Sequence, residues 1–153
     1  MKVELVERQP VRVAFLRYTG PFGEPLGKFW RGTVAPWLAD NGLVDCPRYG
    51  VLLDDASQTP AEKRRYDACV ELPPGLSLPD ASETRIAGGR YGVTHFKGTG
   101  TDIGPAWAAF RTEFLRLHRL DDARPPFEHY PRGALYEVRT GVFTGILCLP
   151  LDS

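Results

Sequence analysis

The sequence predicts an α+β fold: a curved antiparallel sheet carrying two main helices, built by tandem duplication and pseudo-two-fold symmetric. Three observations lead there. First, segments recur at one spacing: Gly20, closing VAFLRYTG, is matched 78 residues on by Gly98, closing YGVTHFKG, and Tyr49 in CPRYGVLLDD by Phe127 in RPPFEHY. A further pair, Pro73 closing ACVELP and Pro150 closing ILCLP, is spaced by 77. Second, each copy holds one stretch of helical period. Third, short β-patterned runs flank each helix, and hairpin-paired strands with helices on one face define this class. The copies span about 1–74 and 82–151 of one 153-residue domain, joined by the proline- and serine-rich PGLSLPDASE.

In the first copy, VELVERQPVRVAFLRYTG reads as two short strands joined at Gln9-Pro10. A helix is expected from about Phe22 to Asn41, because Phe22, Leu26, Phe29/Trp30, Val34 and Trp37/Leu38 recur at three- and four-residue intervals. Asn41-Gly42 stops it, since glycine readily takes the left-handed conformation past a helix end. Pro36 removes a backbone donor, so a bend is expected there. RYGVLLDD and RYDACVELP read as strands, with a helical turn between them at Thr59-Pro60-Ala61-Glu62, which has capping-box spacing.

The second copy repeats the plan. ETRIAGGRYGVTHFKG reads as a hairpin turning at Gly88-Gly89. The second helix runs from about Asp102 to His118, with Ile103, Trp107, Phe110, Phe114 and Leu117 alternating between spacings of four and three. PFEHY and VFTGILCLP supply the last strands, and PRGALYEVRTG between them carries no clear pattern. Each copy thus reads strand–strand–helix–strand–strand.

Composition narrows the function. Lysine plus arginine equals aspartate plus glutamate, at 19 each, so net charge gives no reason to expect nucleic acid or an anionic membrane as partner. No apolar run reaches the ~20 residues of a spanning helix. The charged N-terminus, MKVELVERQP, lacks a signal-peptide core, and Cys46, Cys69 and Cys148 form an odd, scattered set. A cytoplasmic protein with free thiols is expected.

No familiar catalytic signature is present. The four serines lie in no nucleophile elbow. His95, His118 and His129 show no metal-ligand spacing, so neither a metal nor a cofactor is expected. The glycine-rich KGTGTDIG precedes a helix but lacks the phosphate-loop pattern. Asp54 and Asp55, adjacent on a strand end, point to opposite faces and suit a turn better than an acid/base pair.

Glu128 differs from all of these. It interrupts an apolar strand, and its equivalent in the first copy is Gly50. A carboxylate in a half-buried strand is costly unless a partner or water reaches it. Glu128 and Tyr130 share one face of the strand, Phe127 and His129 the other. A glutamate among aromatics suits a lipophilic cation, with ring faces adding about 0.5–2 kcal/mol each. An edge-strand glutamate facing solvent fits the same pattern. Trp30, Trp37 and Trp107 sit on apolar helix faces, where core packing is the default; Trp107 and Tyr130 remain as candidate pocket walls.

The chain resembles the GyrI-like small-molecule-binding family, the module that also forms the effector-binding half of AraC-type and MerR-type multidrug regulators. The resemblance rests on RYTGPFGEPLGKFWRGTVAPWLADNGL and DDASQTPAEKRRYDACVELP in copy one, with IAGGRYGVTHFKGTG, WAAFRTEFL and PPFEHY in copy two. TPAEKRRYD followed by AGGRYGV looks like the stand-alone DNA gyrase inhibitors of that family. The resemblance implies tandem strand–helix–strand–strand units with a ligand cleft between them. It also implies that Glu128 contacts cationic, aromatic ligands; Tyr130, Trp107, Tyr18 and Phe22 are the further candidate ligand-binding residues. An amphipathic small molecule is therefore the expected partner, with DNA gyrase as a further candidate. Some stand-alone members are hydrolases of cyclopropane-bearing alkylators, which would make Glu128 a catalytic base. Two features depart from the family: Pro131-Arg132-Gly133 replaces the usual N-D-P turn, and Pro36 interrupts a helix that is usually regular.

Overall fold

The structure, a computed structural model described over residues 1–152, is a curled eight-stranded antiparallel sheet with two helical arms. The strands are β1 (Glu4–Arg8), β2 (Val11–Thr19), β3 (Arg48–Leu52), β4 (Arg65–Glu71), β5 (Ser82–Ile86), β6 (Gly89–Gly98), β7 (Phe127–Tyr130) and β8 (Phe143–Pro150). Their order across the sheet is β1-β6-β8-β7-β3-β4-β2-β5. Read from the two ends, equivalent strands of the repeats match in turn: β1 with β5, β6 with β2, β8 with β4, β7 with β3. The duplication therefore built one sheet with its seam between β3 and β7.

The expected hairpin at Gly88-Gly89 does not form. β1 pairs with β6 and β5 with β2, so each copy lends its first strand to the other. The chain makes this exchange where residues 8–10 cross residues 86–89. A Cβ on Gly88 would lie 2.8 Å from the ring of Pro10 and 2.9 Å from the carbonyl oxygen of Arg8. Gly88-Gly89 is thus used for a close crossing of two connections rather than for a tight turn.

β3 and β7 pair in the register Arg48–Tyr130, Tyr49–His129, Gly50–Glu128 and Val51–Phe127. Gly50 is also the repeat equivalent of Glu128. A residue that pairs with its own equivalent lies on the symmetry axis, so the pseudo-dyad passes between Gly50 and Glu128. Ladder registers also correct one anchor of the repeat. Val13 pairs with Glu71 and its equivalent Tyr91 pairs with Pro150, so Pro150 stands at the place of Glu71, not of Pro73.

The first helical arm comprises α1 (Glu24–Phe29), a π-helical segment (Trp30–Val34) and α2 (Ala35–Asp40). Pro36 cannot donate to the turn before it, and the backbone answers with a wider turn in which Ala35 N–H donates to the Trp30 carbonyl. The structure holds this π segment just before Pro36, where the sequence predicts a bend. The second arm, α3 (Ile103–Leu115), is a regular helix, slightly shorter than its pattern suggested. Its Phe110 and Phe114 are fully buried against Phe96, Leu147 and Leu149, each contributing about 2–3 kcal/mol of apolar burial. Val34 and Leu38 anchor the first arm over Ala14, Ala68 and Val70. On the opposite face one cluster spans the seam, with Tyr49, Val51 and Cys69 from one copy and Tyr91, Phe127 and Cys148 from the other. No helix among the described residues is long and apolar enough to cross a membrane.

Gly50→Ala is expected to destabilise the protein by about 1–3 kcal/mol, because its Cβ overlaps the Tyr66 hydroxyl and lies 2.7 Å from Glu128 Oε1. Gly104→Ala meets nothing within 4 Å on α3 and should stabilise by about 0.5–1 kcal/mol. Urea unfolding of both variants measures the contrast; equal midpoints would show that the seam is not tightly packed.

Candidate functional site

β7 is a central strand, flanked by β3 and β8, so the solvent-facing edge reading of Glu128 does not hold. Glu128 is 5% exposed and faces the helical arms. Its carboxylate accepts three hydrogen bonds: from the Tyr66 hydroxyl at 2.6 Å and the Tyr130 hydroxyl at 2.8 Å on Oε1, and from Trp107 Nε1 at 3.0 Å on Oε2. Trp30 Nε1 donates in turn to the Tyr66 oxygen at 3.2 Å. Each helical arm therefore delivers one indole to the seam, one directly and one through a phenol.

The convergence follows from the local sequence. Tyr66 opens β4 opposite Leu52, diagonal to Gly50, and the missing side chain at Gly50 is the space its hydroxyl occupies. Tyr130 lies two residues from Glu128 on the same face, over Gly145 of β8, where a Cβ would come within 2.8 Å of its ring. The π turn at residues 30–34 sets Trp30 edge-on to both Tyr66 and Tyr130, with ring centroids 6.2 and 6.0 Å away. Such edge-to-face pairs add about 0.5–1.5 kcal/mol beyond area burial.

The expected site residues fall into three groups. Tyr130 and Trp107 bond Glu128 directly. Phe22 stands one ring further out, edge-on to Tyr66 at 6.0 Å and under the Arg64 guanidinium. Tyr18 donates to the Pro21 carbonyl at 2.6 Å and packs on Phe29 at 5.3 Å, away from the carboxylate. Tyr66 and Trp30 were not anticipated as site residues. A glycine inside a strand marks a close approach, and Gly50 is the sequence signal for the space that the Tyr66 hydroxyl fills. Asp54 and Asp55 do turn work: Asp54 pairs with Arg65, and Asp55 accepts from Ser57.

Burial raises the Glu128 carboxyl above its ordinary value, and the three donors oppose that without cancelling it. Burial, then the Glu128 charge, pushes Tyr66 and Tyr130 well above the phenol range, so both remain donors. Among the described residues no lysine, arginine or histidine reaches Glu128 within ion-pair distance. The other face of β7 is fixed separately. His129 stacks on Tyr49 at 4.6 Å, contacts Arg8 Nη2 through Nδ1 at 3.0 Å, and is lowered to about 4 by burial and the Arg8 charge. Neutral His129 is thus the acceptor for Arg8.

The fold and this carboxylate place the chain in a class of duplicated α+β ligand-binding modules. The GyrI-like small molecule binding domain matches residues 1–141, and the chain belongs to that family. It is 30% identical over 135 residues to a DNA gyrase inhibitor of Escherichia fergusonii, covering 85% of this chain and 86% of the relative. Among solved structures it is similar to SAV2435 bound to tetraphenylphosphonium, with a TM-score of 0.65, 12% identity, and coverage of 100% of this chain and 95% of that one. The EcmrR C-terminal domain superposes with a TM-score of 0.71 at 11% identity, covering 99% of this chain and 98% of that domain.

A carboxyl raised by burial favours folding fully below its unfolded-state value, about 4.3, and loses that contribution as pH rises through the folded-state value. Glu128→Gln removes this loss. Its melting temperature relative to wild type is expected to climb between pH 4 and pH 8 in calorimetry; a constant difference across that range would place the Glu128 carboxyl at its ordinary value.

Proposed function

We propose that the chain binds amphipathic, lipophilic organic cations at the seam, with Glu128 as counter-charge and Trp30, Tyr66, Trp107 and Tyr130 as walls. One observation carries this reading: a buried carboxylate with three neutral donors and no cationic partner among the described residues. Neutral donors reduce the cost of burying a charge but do not cancel it. An organic cation supplies the opposite charge, and its rings replace water with indole and phenol faces. A hard cation such as sodium or a protonated lysine would lose more hydration than this apolar chamber returns. The likeness to a protein bound to tetraphenylphosphonium supports the same chemistry, and the family supports the binding of a small molecule.

Glu128 is nearly closed off, so admission of a ligand requires the partly exposed indole of Trp30 or Trp107 to move. Tryptophan emission is consequently the natural readout. Tetraphenylphosphonium should quench it with saturation, whereas triphenylphosphine oxide, neutral and of similar shape, should bind at least about tenfold more weakly. In Glu128→Gln the cation should lose that advantage, and Trp107→Phe, which deletes the donor and part of the aromatic wall but keeps the carboxylate, should give an intermediate affinity. Equal affinity of wild type and Glu128→Gln for the cation would remove the carboxylate from recognition.

A second reading uses the same group. Burial raises Glu128 toward the range in which it can accept a proton from water, as hydrolysis of a strained cyclopropane would need. Ring-opened product formed with wild type and absent with Glu128→Gln would mark catalysis. DNA gyrase enters as a partner through the inhibitor relative alone, and capture of purified gyrase by the full chain tests it.

A further inference from the structure

A cleft of about 350 Å³ lies where β6 ends and β8 begins, on the sheet face opposite the helical arms. His95 and Lys97 of β6, Thr144 and Ile146 of β8, and Pro131 and Arg132 of the β7–β8 loop line it. Alternation along β8 turns Thr144 and Ile146 into this cleft while Gly145 and Leu147 face the arms, so the sheet separates it from Glu128.

The duplication supplies an internal comparison. By ladder register, His95 stands at the place of Arg17, Lys97 of Thr19, Ile146 of Asp67 and Thr144 of Arg65; counting on from β7, Arg132 stands at Asp54. In the first copy these positions neutralise one another. Asp67, 4% exposed, accepts from Arg17 Nε at 2.8 Å and Nη2 at 3.0 Å, and Asp54 pairs with Arg65 at 2.9 Å. In the second copy both acids are gone, one replaced by isoleucine and the other by arginine. Three basic side chains remain around the cleft, and none of them forms an ion pair among the described residues. Glu4 lies in the adjoining groove with His95 and is engaged by Lys2 at 3.3 Å. Thr144 Oγ1 accepts the Leu135 N–H at 2.9 Å, which leaves its hydroxyl proton free to donate.

We propose that this cleft is a second binding site, for a small molecule bearing an oxyanion head group, carboxylate or phosphate. Lys97 and Arg132 supply charge-assisted donors, Thr144 a neutral one, and Pro131 and Ile146 an apolar floor. The volume fits a compact organic anion. The chain then carries two sites of opposite charge preference on opposite faces of one sheet, and Arg132 follows Tyr130 of the first site by two residues.

Amide NMR of the full chain, titrated at constant ionic strength with pyrophosphate, benzoate and chloride, tests this. Saturable shifts at His95, Lys97, Arg132 and Thr144 with pyrophosphate or benzoate are expected, and the tighter of the two names the head group. Arg132→Asp, on an exposed loop, should weaken binding at least about tenfold. Lys97→Gln should weaken it separately, with tetraphenylphosphonium affinity unchanged in both variants. Absence of shifts, equal shifts with chloride, or undiminished binding in both variants would overturn the proposal.

Discussion

The structure depends on how a carboxylate is kept at the two-fold seam of a duplicated fold. At the axis, each copy presents its equivalent residue to the other across one strand pair, Gly50 facing Glu128. Two side chains cannot both fill that space: the room a Cβ would need at Gly50 is taken by the Tyr66 hydroxyl and by Glu128 itself. Symmetry therefore has to break at its own axis. One copy gives the acid and the other gives the vacancy, and the first copy's Tyr66 crosses that vacancy to bond the second copy's Glu128.

The remaining features follow from holding that charge in place. Tyr66, Tyr130 and Trp107 satisfy the carboxylate from three directions without neutralising it. Trp30 holds Tyr66, and its orientation traces to the π turn that Pro36 imposes. Behind the strand, Arg8 and Tyr49 clamp His129, so β7 is fixed on both faces. Strand exchange adds a further constraint. With β1 on the second copy's sheet edge and β5 on the first copy's, neither repeat completes its sheet alone. The seam and its buried carboxylate are thus tied to the folding of both halves.

Much of this was legible in the sequence, for identifiable reasons. The 78-residue spacing and the four-three pattern of α3 are local or periodic signals, and both survive in the structure, the second from Ile103 to Phe114, with Leu117 exposed past the helix end. Glu128 stood out because comparison of the copies exposed it against Gly50. Strand exchange was not legible: a Gly-Gly pair between two β-patterned runs has the chemistry of a hairpin turn and of a tight crossing alike, and only the approach of Pro10 separates them. Tyr66 was hidden in RRYDACV because its role depends on a glycine sixteen residues earlier and an acid sixty-two residues later. Tyr18 shows the converse, an aromatic on the right strand whose hydroxyl is bound locally to Pro21.

The central claim is that Glu128 is a buried acid whose ionised form is completed by a cationic ligand. Carbon-13 NMR titration of the Glu128 carboxyl, with and without saturating tetraphenylphosphonium, addresses it most directly. The free protein should titrate above the ordinary glutamate value, as burial dictates, and the bound cation should move the midpoint down, because it favours the charged form. A midpoint that does not move on binding, or that moves up, would contradict the account.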